Sequence, residues 1–73
     1  MKNFAYVVYN MKDKDFYIMD KNTYDKMYFQ RKARYVIIFD VEYDGDRINN
    51  MKLPRPPYGL EECEAIVKEL LDE

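Results

Sequence analysis

Two periodicities of hydrophobic and polar residues run along this chain. Residues 4–9 (FAYVVY) form an unbroken aromatic and β-branched run with no polar face, which reads as an internal strand. A polar turn at 10–14 (NMKDK) leads into 15–20 (DFYIMD), a second strand that closes a hairpin with the first. Residues 20–23 (DKNT) read as a loop that supplies good helix N-cap candidates. The next stretch fits two patterns. Tyr24, Met27, Tyr28 and Arg31 share helical spacing, while Met27 and Phe29 alternate with Tyr28 as on a strand. We read a short helix near residues 23–31.

Residues 34–43 (RYVIIFDVEY) are the clearest strand. Strict alternation puts Tyr35, Ile37, Phe39, Val41 and Tyr43 on one face and Val36, Ile38, Asp40 and Glu42 on the other. Asp44-Gly45 after it is a strong hairpin signal. A two-residue loop there would pair Tyr43 with Asp46, Glu42 with Arg47, Val41 with Ile48 and Ile38 with Met51. Three prolines among residues 54–57 then end the sheet, since proline cannot donate to a ladder. Residues 60–71 (LEECEAIVKELL) form an amphipathic helix with Leu60, Cys63, Ile66, Val67, Leu70 and Leu71 as its apolar stripe.

The expectation is one small α+β domain over 1–73, an antiparallel meander of three to four strands with the C-terminal helix packed on one face. The expected core is Val7, Phe16 or Ile18, Ile37, Phe39, Val41, Ile48, Ile66, Val67 and Leu70. That is thin for an independent domain, so a homodimer or another partner is expected.

Composition narrows the function more than the pattern does. The chain has no His, Ser or Trp, a single Thr (Thr23) and a single Cys (Cys63). Serine triads, histidine bases and imidazole metal sites therefore lack their residues, and one thiol cannot form an internal disulfide. A non-enzyme with no catalytic, metal or cofactor site is expected, in the cytoplasm and away from membranes. Not every ring of eight Tyr and four Phe, with five Met beside them, can be inside a domain this size; most fill a thin core, or a surplus lies at a contact surface, and the two readings are compatible. The charge is divided. Residues 1–38 carry eight basic against four acidic groups, and residues 39–73 carry four against ten.

Four segments could carry chemistry. Asp40, Glu42, Asp44 and Gly45 imitate the first half of an EF-hand calcium loop, but Arg47 and Met51 occupy that loop's eighth and twelfth positions. Residues 37–42 (IIFDVE) also resemble the first metal-binding motif of the proofreading-type 3′–5′ exonucleases, an apolar strand ending in Asp-x-Glu. That resemblance implies a metal-binding pair at Asp40 and Glu42. Tyr43-Asp44 stands where the family has Thr-Thr before its Gly, and the family's other acidic motifs need a much longer domain. Ordinary strand alternation accounts for the co-facial acids without a metal. Cys63 lies on the apolar helix stripe with no base to activate it, and reads as core. Residues 26–35 interleave Lys26, Arg31, Lys32 and Arg34 with Tyr28, Phe29 and Tyr35, the one stretch of nucleic-acid character. With a pI of about 5.1 the whole chain lacks the usual basic excess.

The expected function is a non-catalytic protein-binding module whose acidic, Tyr-rich face engages a basic surface on another protein. Its contacts would be Asp40, Glu42, Asp44 and Asp46 with Glu61, Glu62, Glu64 and Glu69. Carboxylates about 6.6 Å apart on alternate strand positions imitate a phosphate row, as in a small virus- or mobile-element-encoded inhibitor of a nucleic-acid enzyme. The alternative is a small nucleic-acid-binding module using Lys26, Tyr28, Arg31, Lys32 and Arg34.

Overall fold

The structure is a computed structural model that describes residues 2–30, 34–45 and 48–72. Its elements are β1 (Lys2–Asn10), β2 (Asp15–Asp20), α1 (Lys21–Gln30), β3 (Tyr35–Asp44), β4 (Met51–Lys52) and α2 (Leu60–Leu71). The strands form one antiparallel sheet, with α2 packed against β3 on one face. This is the α+β architecture that the sequence predicts.

The strand order is β3-β1-β2-β4, so the sheet is not a simple meander. The β1–β2 hairpin sits at the centre, with Val7 opposite Ile18 and Asn10 opposite Asp15. Its turn is held by Asn10, whose Oδ1 accepts the N–H groups of Lys12 (2.9 Å) and Asp13 (3.2 Å). Such side-chain mimicry of a turn is a standard use of Asn. Lys14 takes the left-handed φ of 61° that closes it.

Asp20 ends β2 and starts α1. Its Oδ1 accepts the Thr23 N–H at 2.9 Å, which is an N-cap bond. The helix then carries the chain past β1 and delivers β3 to the far edge, parallel to β2. The expected Asp44-Gly45 hairpin does not form. Val41 pairs with Ala5 and Met51 with Ile18, because after β3 the chain crosses to the opposite edge. Two bonds pin that crossing: the Asp20 N–H donates to the Ile48 carbonyl and the Leu53 N–H to the Phe16 carbonyl, both at 2.8 Å. The other two pairs expected of that hairpin involve Asp46 and Arg47, which lie outside the described residues. Gly45 serves a different purpose from a hairpin turn. A Cβ there would meet Leu71 Cδ2 at 3.0 Å, so its lack of a side chain lets the end of β3 approach the end of α2.

The second departure is a β-bulge. Phe39 lies opposite Val7 but Ile37 lies opposite Val8, which makes Ile38 an extra residue. One extra residue reverses the alternation. Phe39, Val41 and Tyr43 pack with the core beneath α2, while the ring of Tyr35 meets Tyr17 and Tyr24 on the α1 side. The single five-residue face expected for β3 is therefore split between the two sides of the sheet. Ile37, expected in the core, is 42% exposed for this reason.

The α2 side is an aliphatic core: Ala5, Val7, Ile18, Val41, Ile48, Leu53, Cys63 and Val67 are buried, with Tyr43 among them. Phe16, Phe39, Ile66 and Leu70 pack against it. The α1 side is aromatic. Val8 and Met19 are fully buried there, and rings gather beside them: Tyr6–Tyr24 at 5.2 Å and 88°, Tyr17–Tyr35 at 6.1 Å and 81°. Edge-to-face geometry of this kind is favoured by the ring quadrupole.

Candidate functional site

The acidic residues on β3 are the candidate site. Val41 and Tyr43 are buried on the α2 side, so the alternating Asp40, Glu42 and Asp44 present their carboxylates on the opposite, α1 side, and all three are exposed. They stand level with Tyr6, Phe4 and Lys2 of β1. Helix α1 packs on β1 and β2 and meets β3 through the Tyr24 and Tyr35 rings. Glu42 bridges to the Lys2 ammonium at 3.6 Å, with both groups well solvated. Asp46 lies outside the described residues.

The helix acids expected to join this row do not form one surface with it. Glu64 shares the lining of a shallow groove with Glu42 and Asp44 of β3, together with Lys68 and Leu71 of α2. Glu62 and Glu69 line a different groove on the other flank of α2, facing Met51, Leu53 and Pro54. Glu61 is exposed at the start of α2, on the turn that carries Glu62.

Glu62 is engaged structurally. Helix α2 begins at Gly59, which has no side chain to cap it. Glu62 instead holds the chain just before the helix: Oε2 accepts the Tyr58 N–H at 2.8 Å, and Oε1 meets the Arg55 guanidinium at 2.6 Å. Arg55 also lies over the Tyr58 ring, 5.5 Å from its centroid. The Pro-rich segment is thus clasped to the first turn of the helix. The sequence offered Glu62 as a partner contact; only the fold reveals what it already holds.

Cys63 is fully buried in the aliphatic core. Burial pushes its thiol above the ordinary value, and the Glu62 and Glu64 carboxylates act in the same direction. A thiol held protonated is a poor nucleophile. Among the described residues no group of three or more His, Cys, Asp or Glu side chains gathers as a metal site, and no helix is long and apolar enough to cross a membrane.

The alternative, basic segment is only partly placed. Lys26 is exposed on α1, and Arg34 is exposed just before β3, its carbonyl accepting the Met11 N–H at 3.0 Å. Arg31, Lys32 and the side chain of Tyr28 lie outside the described residues. One exposed feature was missed by the sequence reading: Val36, Ile37 and Ile38 are 44%, 42% and 43% exposed along the edge of the sheet. Its only signal in the sequence was an apolar triplet that no alternating strand can bury entirely.

Compared with known protein families, with curated proteins and with solved structures, the chain finds no match.

Proposed function

We propose that this protein is a non-catalytic protein-binding module that engages a basic surface on its partner through Asp40, Glu42 and Asp44. The observation that carries this reading is their placement. Three exposed carboxylates stand in a row on the edge strand, on the face opposite α2. Rigid backbone pairing with β1 holds the row in place, so little conformational entropy is lost on binding. A carboxylate row of this kind steers and orients a basic partner more than it adds raw affinity. The aromatic cluster beside it, Tyr6 with Tyr24 and Tyr35, stiffens the same side of the sheet. A basic nucleic-acid enzyme, as the target of a small virus- or mobile-element-encoded inhibitor, is a partner of the required charge.

The test is capture from host extract with and without nuclease, followed by direct titration of the recovered protein. The Glu42→Gln/Asp44→Asn variant should bind it about tenfold or more weakly, chiefly through a slower on-rate, and added salt should shrink the difference. Equal binding by the variant would overturn the reading. Recovery only of proteins that vanish with nuclease would move the function to Lys26 and Arg34.

A further inference from the structure

The outer edge of β3 offers a backbone as well as side chains, and the hydrogen bonds of the sheet show which residues present it. The Asp20 N–H and the Phe16 carbonyl both point away from β1, to Ile48 and Leu53. Backbone groups alternate sides along an antiparallel strand, so those of Tyr17 and Met19 point to β1. Their partners Val8 and Tyr6 point back to β2, which turns Ala5 and Val7 towards β3. Val41 and Phe39 stand opposite these two and point back at them. Asp40 and Glu42 therefore direct their N–H and C=O groups outward, to an edge with which no described strand pairs.

The side chains on this edge say what kind of segment fits it. The Asp40 and Glu42 carboxylates are exposed on the α1 side. On the α2 side runs a shallow groove of about 450 Å³, lined by Val41 and Tyr43 of β3 and by Val67 and Leu71 of α2, with Glu64 and Lys68. A strand laid along the edge would set alternate residues beside the carboxylates and the residues between them beside the groove.

We infer, resting on the acidic row as the partner site, that the outer edge of β3 receives an extended segment of the partner as an added antiparallel strand, with Lys or Arg opposite Asp40 and Glu42 and small apolar residues between. Backbone bonds supply the affinity, and the alternating contacts select the sequence. The direction matches the rest of the sheet, and antiparallel pairs are slightly the more stable. The bulge sets the length. Regular pairing with β1 covers residues 39–44 and is broken at Ile38, so the added strand stops there.

Fluorescence anisotropy of a labelled peptide of about seven residues, alternating lysine with valine, tests this on the intact chain. The peptide should bind with Kd below about 1 mM. The Asp40→Asn/Glu42→Gln variant, shown to be folded by its Tm, should bind it about tenfold or more weakly. Two N-methylated peptides separate strand addition from charge alone. In an antiparallel addition the lysine amides donate to β3 and the valine amides point away. Methylating the lysine amides should weaken binding about tenfold or more, and methylating the valine amides by less than about threefold. The reverse sensitivity would overturn the antiparallel direction. Equal effects of the two methylations, with the charge variant still weaker, would overturn strand addition and leave the acidic row as a charged contact surface. Binding that ignores the charge variant would overturn the row itself, and failure of the unmodified peptide to bind would overturn the added strand.

Discussion

The two sides of the sheet are built by different means. Beneath α2 the core is mainly aliphatic, with Val7, Ile18, Val41, Cys63 and Val67 buried beside the ring of Tyr43. Beneath α1, Val8 and Met19 are the fully buried apolar residues among those described, and the rings of Tyr6, Tyr24 and Tyr35 pack beside them. Tyr, with one apolar body and one polar tip, can shield a core and still meet water. The α2 side is thus where stability resides. The α1 side is a thinner cover beside which the acidic row is left accessible, and it should open first under stress.

Breaking the comparison at its stronger side gives the largest effect. Val67→Asp places an unpaired carboxylate in the aliphatic core and should unfold the chain, seen as loss of the cooperative thermal transition. Ile18→Ala on the same side should cost about 2–5 kcal/mol in denaturant unfolding. Tyr24→Ala on the other side removes the ring that meets both Tyr6 and Tyr35. It should cost about 1–3 kcal/mol, and hydrogen exchange should quicken in α1 while α2 stays protected. Asp20→Ala removes the N-cap of α1 and should cost about 1 kcal/mol.

The smallest effect is a pH slope. Cys63 has a raised thiol pKa in the folded chain, so the folded state holds this proton more tightly than the unfolded one. The associated stability is complete below the ordinary thiol value near 9.0 and is lost as pH rises towards the folded value. Lys52, raised chiefly by its hydrogen bond to Asp15, and Tyr17, raised by desolvation and by Asp13, add loss of the same sign at higher pH. Tm should therefore fall on the alkaline side. Cys63→Ala should flatten the first part of that fall, and an unchanged slope would detach it from the thiol.

Much of the fold was legible where pattern and packing agree. The β1 run is apolar throughout, α2 follows one helical period, and Cys63 sits in the core as its place on the helix stripe implies. The strand order was not legible. Asp44-Gly45 carries a hairpin's chemistry, but Gly45 is needed for the close approach of Leu71. The face of Ile37 was hidden because a bulge is a tertiary event: nothing in YVIIFDV marks which residue is the extra one. The acids of β3 were readable as a row, since period two survives beyond the bulge. Those of α2 were not, because the clasp on Glu62 involves Arg55 and Tyr58, which no helical period connects.

The strand order also sets the sequence of events in folding. Both central strands lie within the first twenty residues, and a hairpin of that kind closes in about 1–10 µs. The edge strands return from far along the chain: β3 pairs with β1 across 25 to 42 residues, and β4 with β2 across 33 to 35. Such long closures are slow, which places the complete domain with mixed folds in the millisecond range rather than with helical bundles. During synthesis the hairpin leaves the ribosome with both flanks bare. It remains so until residues 35–52 follow it out.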